Sequence, residues 1–167
     1  LSAAFTVTVE RLPHGRDLPL PAKATALAAG FDLHAAVAAP LTLQPLGRAA
    51  VPTGLRLAIP AGFEGQVRPR SGLALRFGLT VVNAPGTIDA DYRGELMVAM
   101  VHLGAEPIVV EPGMRIAQIV FAPVLDARLV EGPVEDAASS RGAGGFGSTG
   151  LGARRADDVT TRGDRST

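Results

Sequence analysis

Hydrophobic residues along this chain come in short runs broken by glycine and proline. The first run, "FTVTVERL" (Phe5–Leu12), alternates apolar and polar positions with period two, the pattern of a half-buried β-strand. "LTLQPL" from Leu41, "AAVPTGLRLAIP", "GQVRPR", "GLTVVN", "GELMVAMVHL", "PIVVEPG" and "MRIAQIVFAPV" follow. They recur roughly every ten residues with turn chemistry between them. No stretch sustains the 3.6-residue period of a long amphipathic helix. One short helix is expected over "GLALRF", with Ser71 as its N-cap and Gly78 as its stop. The pattern predicts an all-β protein, a barrel or jelly roll of many short strands. Apolar runs cease near Pro133. Residues 1–132 are therefore read as the β body, 133–150 as a mobile Gly-rich arm, and 151–167 as a disordered tail of mixed charge. Chance explains the "RGD" in that tail.

Composition narrows the chemistry. The 167 residues suit one domain with a real core, and 47% are hydrophobic against 19% charged. Formal net charge is zero, so no global basic field points to nucleic acid or an anionic membrane, and neither is expected as a partner. There is no cysteine, which excludes disulfides, thiol catalysis and Cys-ligated zinc. His14, His34 and His102 share no metal-ligand spacing. No apolar run approaches the ~18 residues of a membrane span. A basic-then-apolar leader is missing from the N-terminal residues, and the cytoplasm is the expected compartment.

Four segments hold polar groups worth weighing. "NAPGTIDADYRGE" (Asn83–Glu95) lies between two strand-like runs and reads as a hairpin tip. Its aspartates are those of any turn, or they gather with Asn83, Tyr92 and Arg93 around a flat polar ligand that the backbone could pair with. "VRPRSGLALRFG" offers Arg70 and Ser71 at a helix start. These are either a surface charge and a cap or a corner for phosphate. Asp32 in "AAGFDLHAA" reads as a paired carboxylate or a turn residue. Gln118 in "GMRIAQIVF" falls on one strand face with Ile116 and Val120, where a satisfied structural amide is common.

The fifth segment is "SSRGAGGFGSTG" (Ser139–Gly150). It is no Walker A loop, since no lysine closes it. Glycine lets backbone approach a ligand closely, Arg141 can fork onto phosphate oxygens, and Ser148 and Thr149 can donate hydrogen bonds. Phe146, alone among glycines, can stack on a planar ring. A linker accounts only for the glycines, whereas an arm closing on a nucleotide accounts for every residue.

Together "AGFDL", "PRSGLA", "NAPGTIDADYRGE", "RIAQIV" and "RGAGGFGSTG" resemble, in order and rough spacing, the five motifs of the homotrimeric dUTP diphosphatases, or dUTPases. The resemblance spans Ala29 to Gly150. It implies a trimer with shared active sites that hydrolyses dUTP to dUMP and pyrophosphate with Mg²⁺, supplying dUMP and keeping uracil out of DNA. Residue by residue, it implies that Asp32 helps hold Mg²⁺ through water and that Arg70, Ser71, Gly72 and Gln118 contact phosphates. It makes Asn83 and the backbone of Thr87, Ile88 and Asp89 the reader of uracil and deoxyribose. Asp89 becomes the base that activates water, and Tyr92 the ring beneath the sugar. Met97 becomes a nucleotide contact. Arg141, Phe146, Gly147, Ser148 and Thr149 become the arm's contacts, with Arg141 also catalytic. Ala143 departs from the Ser or Asp common at its position, and the tail after Gly150 is longer than in many relatives.

Two other readings remain in view. The dCTP deaminases share the fold, but they carry a second serine where Gly72 stands and lack the "DYRGE" hairpin. A non-catalytic nucleotide-binding trimer would keep the fold and lose Asp89 or the arm, and here both are present.

Overall fold

The computed structural model describes residues 5–134. In chain order the strands are β1 (Thr8–Arg11), β2 (Phe31–His34), β3 (Leu41–Leu43), β4 (Arg48–Ala58), β5 (Phe63–Pro69), β6 (Leu79–Val81), β7 (Gly86–Ile88), β8 (Glu95–His102), β9 (Ile108–Val110) and β10 (Arg115–Pro123). One helix, α1 (Ser71–Phe77), and one 3₁₀ turn (Pro13–Gly15) complete the set. Every expected run contains a strand, and the all-β expectation holds.

Two four-stranded antiparallel sheets, β1-β4-β8-β6 and β2-β10-β5-β7, supply one core, and the short pair β3-β9 adds Leu43 and Val110 to it. Strand alternation builds this core. Along β8, Leu96, Val98 and Met100 are buried while Glu95, Met97 and Ala99 face the other way. Leu33, Val67 and Ile119 of the second sheet meet Val51, Leu57 and Val98 of the first in the same cluster.

Three local expectations are corrected. Ser71 is not the N-cap of α1. Arg70 occupies that position in an extended conformation, and no side chain caps the helix. Ser71 is thus the first helical residue and its hydroxyl is left exposed. The C-terminal stop is where it was expected, at Gly78 in the left-handed region (φ 65°). Gln118 does not share a regular face with Ile116. A register shift between Arg115 and Ala117 adds a residue to β10, and Ile116 and Ala117 are buried consecutively.

The third correction concerns the stretch between β6 and β8, which is more than a hairpin tip. β6 does pair with β8, from Leu79↔His102 to Val81↔Met100. Between them the chain crosses to the other sheet, where β7 pairs with β5 through Gly86↔Val67, Thr87↔Gln66 and Ile88↔Gly65. Gly86–Ile88 carries one large apolar residue, Ile88, and lies inside a sequence that reads as a polar loop, so it does not stand out as a strand.

A first compact unit closes at Ala127 and a second begins at Arg128. Residues 128–134 carry neither helix nor strand. Arg141, Phe146, Gly147, Ser148 and Thr149 lie outside the described residues. Among those that are described, no helix is long and apolar enough to cross a membrane.

Candidate active site

β10 organises the first group of polar residues. It lies between β2 and β5, with Gln118 opposite Asp32 on one side and Arg68 on the other. The chain leaves β5 at Pro69 and turns directly into Arg70 and α1. Asp32, Gln118, Arg70, Ser71 and Gly72 therefore gather at one end of this sheet.

Asp32 is the hub. Its Oδ1 forms an ion pair with Arg70 Nε at 3.2 Å, and its Oδ2 accepts a hydrogen bond from Arg115 Nη1 at 3.0 Å. Arg70 Nη1 also donates to the Arg115 carbonyl at 3.3 Å. One carboxylate holding two guanidiniums leaves the corner with a net positive charge, and Arg115 stays half exposed to use it. His34 follows on the same strand face. Burial pushes its pKa below 6.5, and Arg115 and Arg70 push the same way against Asp32, so the ring adds no charge of its own near neutrality. Gln118 Nε2 donates to the Pro69 carbonyl at 3.0 Å, which ties the amide to the chain just before Arg70. Gly30 makes room for it. A Cβ there would overlap Gln118 Oε1 and come within 3.0 Å of Cδ. In α1 the first N–H groups, those of Ser71 and Gly72, have no intrahelical acceptor.

The second group is the loop around β7. Asn83 is exposed and its amide lies over Gly86, where a Cβ would be 3.1 Å from Nδ2. Thr87 and Asp89 are exposed, while Ile88 packs against the core and anchors the strand between them. Past Asp89 the chain turns. Tyr92 N–H donates to the Asp89 carbonyl at 3.2 Å, and the Tyr92 hydroxyl donates to the Glu95 carbonyl at 2.9 Å. The Tyr92 ring lies over Gly94, and 44% of the residue is exposed. Arg93 is turned inward on its own loop. Its Nη1 donates to the carbonyls of Ala90 at 2.6 Å and Tyr92 at 2.8 Å, so it braces the loop. Met97 is partly exposed on the outgoing strand.

Within one chain these two groups stand apart. Ile88 pairs with Gly65, five residues before Arg70 along an extended strand. At about 3.3 Å per residue, Asp89 lies on the order of 15 Å or more from the Arg70 corner. Asn83 lies toward the corner and Asp89 away from it. Among the described residues no hydrogen bond or ion pair joins the groups.

The dUTPase family model matches residues 16–150. The chain belongs to the dUTPase family. It is 58% identical over 155 residues to the deoxyuridine 5'-triphosphate nucleotidohydrolase of Methylocella silvestris, covering 92% of this chain and 96% of that one. The protein of the same name from Rhizobium meliloti is 58% identical over 146 residues, covering 86% and 91%. Among solved structures, the dUTPase of Staphylococcus bacteriophage 80alpha with dUPNHPP superposes with a TM-score of 0.79 at 25% identity, covering 89% of this chain and all of that one. The fold expected from the dUTPase resemblance is thus the one found.

Sequence reasoning missed Arg115, Gly30 and His34. Arg115 opens the very segment "RIAQIV" that was singled out for Gln118, but its link to Asp32 depends on β2–β10 register. Gly30 stood in the quoted "AGFDL" with no sign that it faces Gln118.

Proposed function

We propose that this chain hydrolyses dUTP to dUMP and pyrophosphate. The observation that carries the proposal is the match of the dUTPase model across residues 16–150, which takes in the Asp32–Arg70–Gln118 corner and the Asn83–Tyr92 loop alike. The corner suits a triphosphate. Two guanidiniums held in place by one carboxylate can fork onto phosphate oxygens, and the Ser71 hydroxyl, Gly72 N–H and Gln118 amide supply further donors. The loop suits the nucleoside. The Asn83 amide and the exposed backbone of Thr87, Ile88 and Asp89 can pair with the uracil edge, and mismatched polar groups in such a site disfavour cytosine strongly. The Tyr92 face beneath the sugar leaves no room for a 2′-hydroxyl.

In the reaction Asp89 accepts a proton from water. The water oxygen forms a bond to the α-phosphorus, the bond from that phosphorus to the bridging oxygen breaks, and pyrophosphate leaves with the electron pair. Arg141 steadies charge on the phosphates, and Phe146, Gly147, Ser148 and Thr149 close over base and phosphate.

The residues fit a metal only in an outer role. No cluster of three or more His, Cys, Asp or Glu stands ready for one among the described residues, and both Asp32 oxygens are already paired with arginine, Oδ2 by a hydrogen bond from Arg115 and Oδ1 by an ion pair with Arg70. Mg²⁺ normally arrives on nucleotide phosphates, keeps several waters and needs one or two carboxylates, and Asp32 can meet such waters. When bound, the ion neutralises phosphate charge.

Asp89 and the Arg70 corner point to different sites within one chain, and we infer a homotrimer in which each site draws the loop, the corner and the arm from different subunits. Residues 133–150 are the arm in this reading. The enzyme is placed in the cytoplasm, with the nucleotide pool it acts on. Pyrophosphate and ammonia release measured over dUTP, UTP, dCTP and dTTP tests the proposal. Pyrophosphate from dUTP alone is expected. Ammonia from dCTP would mark a deaminase, and binding without release a non-catalytic trimer.

A further inference from the structure

β4 makes a detour where it passes the end of the nucleoside loop. Its register against β8 goes from Pro52↔Met97 to Arg56↔Glu95, so four steps on β4 face two on β8. The surplus forms a bulge around Gly54, which sits at φ 67°, a conformation that favours glycine. A bulge takes backbone groups out of the ladder, and when buried they must find partners elsewhere. Gly54 is buried. Its carbonyl accepts from Leu12 N–H at 2.8 Å. Beside it, the Thr53 hydroxyl donates to the Leu96 carbonyl at 2.6 Å. The Gly54 N–H is taken by a side chain, donating to Glu95 Oε1 at 2.8 Å. His14 Nε2 lies 2.8 Å from the same oxygen, and facing a carboxylate it is the donor.

Glu95 is thus engaged twice. Its carboxylate closes the bulge, and its backbone carbonyl accepts the Tyr92 hydroxyl at 2.9 Å. Next to it, Arg56 Nε holds the Arg93 carbonyl at 2.6 Å. We propose that Glu95 is a positioning residue for sugar selection, with its carboxylate fixing the start of β8 to the β4 bulge and thereby setting the height of the Tyr92 ring. This rests on the reading of Tyr92 as the ring beneath the deoxyribose. Without the carboxylate, the Gly54 N–H loses its acceptor. Water then enters the bulge or β8 shifts toward it, and either change moves the carbonyl that holds the Tyr92 hydroxyl. Glu95 touches no substrate in this account. His14 is its outer partner and orients the carboxylate.

The test compares kcat/KM for dUTP and UTP in variants of the full chain, with thermal melting alongside. Displacement of a positioned group by about 1 Å can cost up to ~10²-fold, and Glu95→Ala is expected to narrow the dUTP/UTP ratio by roughly tenfold. Glu95→Gln keeps an Oε1 acceptor for Gly54 and is expected to restore most of the ratio. His14→Ala leaves the Gly54 contact and is expected to move the ratio less than Glu95→Ala. A purely structural role would lower melting temperature and turnover of both nucleotides together, and an unmoved ratio in Glu95→Ala overturns the inference. Should that variant not fold, Glu95→Asp, one methylene too short for Gly54, takes its place, and an unmoved ratio there overturns the inference equally. A wild-type chain that releases no pyrophosphate from dUTP refutes the dUTPase activity. A wild-type chain that does, with the ratio unmoved in these variants, refutes only the role of Glu95.

Discussion

Gly94→Ala separates what Tyr92 does for the substrate from what it does for the fold. A Cβ built on Gly94 would lie 2.6 Å from Tyr92 Cζ and 3.0 Å from Cε2, and would overlap the hydroxyl. Ordinary carbon contacts need about 3.5–4 Å, so the ring must retreat by roughly 1 Å. Gly94 is not in the left-handed region, so alanine imposes no backbone strain. Removing glycine from the unfolded chain contributes about 0.4–1 kcal/mol of stability. Losing the bond from the Tyr92 hydroxyl to the Glu95 carbonyl costs about 1 kcal/mol. The two nearly cancel, and the melting temperature is expected to stay within a few degrees. Activity should not stay. A ring displaced by ~1 Å can cost up to about 10²-fold in kcat/KM for dUTP, and because the ring no longer fills the space beside C2′, UTP should suffer less. Pyrophosphate release with each nucleotide, beside a thermal melt, reads both quantities. Unchanged kcat/KM for dUTP in a folded Gly94→Ala protein would refute the placement of the ring beneath the sugar.

Other perturbations probe the rest of the site. Asp89→Asn should fold and bind dUTP while losing about 10²–10⁴-fold in kcat, checked by calorimetry and single-turnover kinetics; near-normal turnover rules out Asp89 as the base. Asp32→Asn releases two arginines at once, so KM for dUTP should rise more than in Arg115→Ala, where Asp32 still holds Arg70. Asp89→Asn and Arg70→Ala chains, each inactive alone, should regain part of the activity when refolded as mixed trimers, and no recovery on mixing would place both residues in one chain's site. Chains ending at Ser140 should form trimers by light scattering yet turn over dUTP poorly.

The fold was legible because its signal is local. Period-two alternation in Leu96, Val98 and Met100, and the turn residues between runs, marked most strands. β7 escaped because Gly86–Ile88 carries a single large apolar residue and lies among the turn and polar residues of "NAPGTIDADYRGE", whereas the equally short β3, β6 and β9 sit in apolar runs. The cap of α1 was misread for a different reason. Ser71 has the right chemistry for an N-cap, but the Asp32–Arg70 pair fixes the chain one residue earlier, and that pair forms across strands. Asp32, Arg70 and Gln118 could each be singled out from sequence. Their meeting depends on the register of β10 with both neighbours, and Arg115 and Gly30 become visible only through it. At Glu95 the sequence showed one more acid in a polar loop, and its partner Gly54 is forty-one residues away.

The crossing of β7 into the second sheet has a consequence for how the loop from Asn83 to Tyr92 moves. A loop tethered at its two ends alone can swing open by itself. This one is also stitched at its middle to β5 and pinned by Ile88 against the core. Its opening therefore requires breaking sheet hydrogen bonds and withdrawing a half-buried side chain that packs against the core, which belongs to partial unfolding and not to lid motion. Amide hydrogens in the β5–β7 ladder should exchange far more slowly than those of the exposed turn after Asp89. In the nucleoside-binding role proposed for it, the loop is rigid before ligand arrives, and little ordering cost falls on binding there.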